Sequence, residues 1–189
     1  MRASQQDLFK GDAKYGPKNS NSHGGACAKK RAKARRPLDS RKPIHVILRS
    51  INARGVLSLK ATREREARIA SIMRRADKQG VRILSLANVG NHLHAIVRFS
   101  SRVQFANWLR VAAGLIARLV TGACRGKPFG KFWDDLTFTR VIHPGRDLEA
   151  MISYLKANRI EAWFGKVARE LFLAEQADQR ARVVRRKPS

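Results

Sequence analysis

The sequence predicts an α+β fold, an antiparallel sheet with helices packed on one face, and three observations carry that expectation. Short runs of alternating apolar and polar residues recur along the chain, and strands show that period of two. Longer segments with apolar residues three and four apart lie between them, as amphipathic helices require. Their order reads strand, helix, strand, strand, helix, strand and then a further helix, the ferredoxin-like or RNA-recognition-motif plan.

Residues 1–41 read as a basic, disordered tail of Gly, Ser, Asn and Lys, in which Lys29 to Arg36 forms a basic block. His23 and Cys27 could be half a metal site, but neither has a partner at ligand spacing. Order is expected from Pro43. Ile44–Arg49 has Ile44, Val46 and Leu48 on one face and His45 and Arg49 on the other. Ser58 to Gln79 reads as a charged helix ended by Gly80, and Val81 to Ala87 as a second strand. Asn88-Val89-Gly90 then turns the chain into the cleanest strand, His92 to Phe99. Its face of Leu93, Ala95, Val97 and Phe99 is wholly apolar; His92, His94, Ile96 and Arg98 lie opposite.

Ser100-Ser101 can cap a helix running to about Thr121. Gly122, Gly126, Pro128 and Gly130 make a loop, and Phe132 to Ile142 reads as a fourth strand. After the turn His143-Pro144-Gly145 a helix starts near Arg146 and continues past Asn158. Its apolar stripe is Leu148, Met151, Ile152 and Leu155, with Tyr154 and Asn158 flanking it. The expected organisation is thus a tail (1–41), a domain (42–165) and a helical, basic C-terminal tail (166–189). Helices on one face would leave the other open, and His45, His92 and His94 could all point there.

Composition narrows the function classes. Forty Lys and Arg against fourteen Asp and Glu give a net charge of +26, which attracts polyanions without sequence preference. A hydrophobic content of 43% supports a core, so the chain is no simple polycation. Cys27 and Cys124 are too few and too far apart for a disulfide framework, which fits a reducing cytoplasm. The apolar stretch Val111 to Val120 is too short to span a bilayer and contains Arg118. The N-terminus has no signal-peptide core, so a cytoplasmic, nucleoid-associated protein is expected.

Two imidazoles at i and i+2 on a strand are close enough to bind one divalent ion. Tyr154, one of two tyrosines, adds a phenol, and Asn158 an amide one helical turn on. These are the parts for metal-assisted attack of tyrosine on a phosphodiester.

The same residues carry a resemblance. Pro43-Ile44-His45-Val46-Ile47-Leu48-Arg49 comes first, then Asn91-His92-Leu93-His94-Ala95-Ile96-Val97. Phe132-Trp133 through Thr139-Arg140-Val141-Ile142 and Ile152-Ser153-Tyr154-Leu155-Lys156-Ala157-Asn158 complete the set. From Pro43 to Phe164 the chain resembles the HUH single-tyrosine transposases of the insertion-sequence-200-like family, closest in pattern to the REP-associated tyrosine transposases. It departs from them at Asn88-Val89-Gly90, where a Met-Pro-Asn-like lead-in is expected, and at Arg159, where many relatives carry Pro.

The resemblance implies an HUH nuclease fold and a transposase that cleaves and rejoins single-stranded or hairpin DNA at the ends of a mobile or repeated element. It implies that His92, His94 and Asn158 hold Mg²⁺ or Mn²⁺; because an amide oxygen is a weaker donor than a carboxylate, Asp147 or Glu161 could contribute instead of Asn158. Tyr154 would be the nucleophile, leaving a 5′-phosphotyrosine link and a free 3′-hydroxyl. Arg49, Arg98, Arg140 and Lys156 are candidate DNA contacts, and Phe132 or Trp133 could stack on an unpaired base or pack in the core. The alternative is a non-catalytic or domesticated DNA- or RNA-binding protein on the same fold. Either a monomer or a homodimer fits the pattern.

Overall fold

A computed structural model of the chain describes residues 22–24, 36–134 and 136–185. Among these residues five strands form one sheet: β1 (Ser22–His23), β2 (Ile44–Arg49), β3 (Val81–Asn88), β4 (His92–Phe99) and β5 (Phe138–Val141). The helices are α1 (Arg63–Arg74), α2 (Arg102–Thr121) and α3 (Arg146–Arg185). Across the sheet the order is β1-β5-β2-β4-β3, and every neighbouring pair is antiparallel. With β1 set aside, the remaining strands lie in the order fourth, first, third, second. Together with the helix between β2 and β3 and the helix between β4 and β5, that is the predicted ferredoxin-like plan.

Alternation along the central strands divides the protein into two cores. Ile44, Val46 and Leu48 of β2 join Leu93, Ala95, Val97 and Phe99 of β4 on the side of α1 and α2. Helix α2 meets them with Phe105, Trp108, Ala112 and Ile116, spaced three or four apart so that they share a face. Side chains of this size contribute roughly 1.5–3 kcal/mol each when fully buried. The Ser101 hydroxyl accepts from the Gln104 N–H at 3.2 Å, and Gly122 ends α2 in the left-handed conformation.

The opposite face is not open. Ala87 of β3 and Ile96 of β4 point there and pack against Ile142, Met151 and Leu155, with Leu148, Ile152 and Tyr154 around them. The stripe on α3 needs an apolar partner, and these two sheet positions supply it. Helices α1 and α2 share one face as expected, while α3 covers part of the other.

Three boundaries differ from the sequence reading. Helix α1 begins at Arg63, because Thr62 is the residue whose hydroxyl accepts from a helical N–H, that of Arg65 at 3.0 Å. Ser58 spends its hydroxyl in the preceding turn, where it accepts from the Lys60 N–H and donates to the Gly90 carbonyl. Arg75–Gln79 tightens into a 3-10 turn before Gly80. The fourth strand is paired only over Phe138–Val141. Phe132 is instead drawn into the main core, and the Trp133 indole N–H donates to the Ala113 carbonyl at 3.0 Å. Phe132 is buried in the core, while Trp133 is only partly buried against it.

Part of the expected tail belongs to the sheet. Ser22 and His23 pair with Arg140 and Thr139 of β5. Arg36 donates to the Thr137 carbonyl and to the Thr139 hydroxyl, both at 2.8 Å. Cys27, the basic residues 29–35 and the final Arg186-Lys187 lie outside the described residues. Among the described residues no helix is long and apolar enough to cross a membrane.

Candidate active site

The site is built where β4 passes beneath α3. His92 and His94 project from the same face of β4, their ring centroids 4.6 Å apart and their planes at 62°. The turn into β4 is held by Asn88, whose amide donates to the Leu59 carbonyl and whose oxygen accepts from the Gly90 N–H. Gly90 has φ +96°, which a side chain would resist, so the pair enters the sheet in a fixed register.

From the other side α3 delivers Tyr154, its ring edge-on to His94 with centroids 5.9 Å apart. Asn158, one turn further, lies close enough to the Tyr154 hydroxyl to favour its ionised form. The structure thus brings His92, His94, Tyr154 and Asn158 into one site. It also adds His45 of β2, whose Nε2 lies 3.1 Å from His94 Nδ1, the two rings stacked within 10° of parallel. His92 Nδ1 lies 2.7 Å from the Asn91 side-chain oxygen.

Burial sets the charge state. His45 is fully buried, and desolvation, helped by Arg140 and His92, brings its pKa down to about 3. Desolvation first and Arg49 second lower that of His92 to about 4. His94, 1% exposed, is held well below the usual histidine range by burial and by its two histidine neighbours. All three imidazoles are therefore neutral at neutral pH, the state in which a ring nitrogen keeps a lone pair. Burial raises the Tyr154 pKa, and Glu161 adds to that; Asn158 and Arg169 act the other way.

The acidic residues considered as alternative ligands are engaged elsewhere. Asp147 pairs with Arg140 at 2.9 Å and accepts from the His143 N–H, and Glu161 pairs with Arg169 at 3.1 Å. Among the described residues no group of three His, Cys, Asp or Glu side chains is placed to hold a metal ion. His92, His94 and Asn158 would be the donors for a divalent ion, and one observation at His94 fits that role. His94 Nε2 is buried with no hydrogen-bond partner, and ligation would satisfy it.

The basic candidates separate. Arg49 is paired in register with His92, stays exposed and forms a 3.7 Å ion pair with Asp134. Arg98 is exposed on the histidine-bearing face of β4 and donates to the Arg41 carbonyl. Lys156 is exposed on α3. Arg140 is tied to Asp147, its side chain only 11% exposed, so it is poorly placed to meet a DNA phosphate.

Sequence reasoning put His45 on the correct face but gave it no partner, because its contact with His94 depends on the β2–β4 register. It missed Arg169, which the break in α3 at Gly165 brings back to Glu161; the sole local signal was the glycine itself.

No protein-family model matches the chain, and no curated protein matches it. Among solved structures it is similar to a REP-associated tyrosine transposase bound to a REP hairpin. Sequence identity is 15% and the TM-score 0.53, over 71% of this chain and 76% of that one. The two share a fold.

Proposed function

We propose that the protein is a metal-dependent DNA strand transferase that cleaves and rejoins single-stranded or hairpin DNA through a 5′-phosphotyrosine intermediate. The observation that carries this reading is the convergence of Tyr154 on the edge of His94 beside His92, with Asn158 one helical turn from Tyr154. Strand and helix, far apart in the chain, supply a nucleophile and a pair of neutral imidazoles at one place. The shared fold with a hairpin-bound transposase supports it.

On this reading His92, His94 and Asn158 hold Mg²⁺ or Mn²⁺. When bound, the ion supplies positive charge that polarises the scissile phosphate. The Tyr154 oxygen attacks phosphorus; its bond to phosphorus forms as the bond from phosphorus to the 3′-oxygen breaks. The phenolic proton leaves to solvent base, and the departing 3′-oxygen takes up a proton. Asn158 orients the hydroxyl and favours its ionised form against the burial that opposes it. Attack by another 3′-hydroxyl reverses the step and rejoins strands. Arg49, Arg98 and Lys156 contact the DNA backbone, which positions the strand without reading it.

One observation favours a second reading, a DNA- or RNA-binding protein without catalysis: among the described residues no acidic side chain completes a metal-binding group with the histidines. A denaturing gel separates the two. Labelled single-stranded DNA carrying hairpins from the gene's own flanks is incubated with wild type and Tyr154→Phe, with Mn²⁺ or chelator. A covalent protein–DNA band that requires both Tyr154 and metal is expected. Tight, salt-sensitive binding without that band establishes the binding module instead.

A further inference from the structure

We infer that His45 is a positioning residue: its Nε2 accepts a hydrogen bond from His94 Nδ1–H and so holds His94 with its Nε2 lone pair free for a cation. The inference rests on the reading of His94 as a metal donor. It begins from the 3.1 Å contact between His45 Nε2 and His94 Nδ1, made by two rings that are 0% and 1% exposed. One nitrogen of that contact must donate and the other accept, and the choice fixes the tautomer of both rings.

The neighbouring histidine shows how the strand solves this problem. His92 Nδ1 faces the Asn91 side-chain oxygen at 2.7 Å, and an amide oxygen only accepts. His92 therefore carries its proton on Nδ1 and its lone pair on Nε2. If His94 Nδ1 also donates, both rings present Nε2 lone pairs, and each is locked by a partner behind it. Metal-bound histidines are commonly held by such a contact through the other ring nitrogen.

The two unpartnered atoms decide the direction. His94 Nε2 and His45 Nδ1 are both buried without hydrogen-bond partners. If His45 donated, His94 would bury an unpaired N–H and His45 an unpaired lone pair, and a cation could relieve neither through Nε2. If His94 donates, its Nε2 is satisfied by ligation, and only the His45 N–H remains. Two unsatisfied buried atoms cost more than one. Strand register makes the contact possible. Ile47 is paired with His94 and His45 with Ile96, so His45 reaches His94 diagonally across the β2–β4 ladder on the same face.

Long-range ¹H–¹⁵N spectra of the full-length protein at neutral pH, saturated with diamagnetic Mg²⁺, test this, with Mn²⁺ binding by calorimetry alongside. Wild type should show a protonated Nδ1 and a pyridine-like Nε2 on His94. His45→Phe, which keeps the ring volume but removes the acceptor, should move the His94 proton largely to Nε2 and weaken Mn²⁺ binding about 10- to 100-fold. His45→Gln, whose amide oxygen can accept, should retain the Nδ1–H form and recover much of the affinity. A space-filling role would predict the reverse ranking of these two variants. A proton on His94 Nε2 in wild type overturns the inference, and so does an unchanged His94 tautomer in folded His45→Phe. Should that variant not fold, the wild-type tautomer and the Gln variant still decide. The predicted tautomer in a protein that binds no Mn²⁺ would instead sink the metal reading and with it the purpose assigned to His45.

Discussion

Tyr154 and the histidines are tuned in opposite senses by the same cause. Removing water disfavours a phenolate and an imidazolium alike, so burial raises the tyrosine pKa and lowers those of the histidines. Neutral imidazoles suit metal binding; a reluctant phenol does not suit attack. The strand-transfer rate should therefore rise with pH from 7 to above 9 at fixed metal, because the ionised fraction of Tyr154 increases tenfold per unit below its pKa. A flat profile in single-turnover assays would show that proton removal does not limit the reaction. Asn158→Ala removes the side chain that favours ionisation of Tyr154 and should slow cleavage more at low pH than at high. The histidines make a separate prediction for stability. In the unfolded chain each binds a proton near pH 6.5, whereas in the fold His92 does so near 4 and His45 near 3. Between those values the unfolded state holds more protons, so stability rises with pH and is lost on acidification from about 6.5 towards 3. Each group contributes a slope of at most about 1.4 kcal/mol per pH unit. Urea midpoints of the metal-free protein should fall steadily across that window, and His45→Phe should flatten the fall.

Among the elements, the break in α3 makes the sharpest prediction. Gly165 has φ +85° and ψ −179°, a conformation essentially reserved for glycine, yet an added Cβ would meet no atom within 4 Å. The cost of Gly165→Ala is therefore backbone strain rather than collision. The flanking segments are anchored: Lys60 donates to the Ala162 carbonyl and lies 4.1 Å over the Trp163 ring, and Arg169 returns to Glu161. If those contacts hold the break, Gly165→Ala should destabilise the protein by about 1–3 kcal/mol in chemical denaturation. If α3 straightens instead, the alanine should stabilise it by up to about 1 kcal/mol, and scattering should show a longer molecule. This helix also shows where the sequence was legible. Its start, its stripe and the Tyr154–Asn158 pair follow from local spacing, and β4 follows from two unequal faces at period two. What α3 covers does not follow, since the sheet partners Ala87 and Ile96 offer too little apolar surface to announce a second core. Nor does β1, which is two residues long and owes its pairing to Gly24. A Cβ there would lie 2.2 Å from the Thr137 carbonyl oxygen.

For the whole molecule, two cores of unequal size divide the labour. The larger, beneath α1 and α2, contains Trp108, Phe105 and the apolar faces of β2 and β4. The smaller, beneath α3, holds Met151, Leu155 and Ile142 around the candidate site. A site whose partners are few can adjust without loosening the main core, which suits a nucleophile that must reach a phosphate. Trp108→Ala should accordingly unfold the protein by about 3–5 kcal/mol and take binding and cleavage with it. Tyr154→Phe, at a half-buried position, should abolish the covalent band while leaving the denaturation midpoint almost unchanged. The net charge of +26 acts on a different quantity from either core. Lys and Arg that neutralise phosphates release counterions, so affinity for DNA falls as salt rises; six to ten such contacts would weaken binding about 10³- to 10⁵-fold between 50 and 200 mM. Chemistry on bound DNA has no such dependence. Single-turnover cleavage at saturating protein should therefore change little over the salt range in which the dissociation constant climbs steeply. A cleavage rate that fell in parallel with affinity under saturation would mean that the basic surface acts within the reaction rather than before it, and Arg49, the exposed cation paired with His92, would be the first residue to replace.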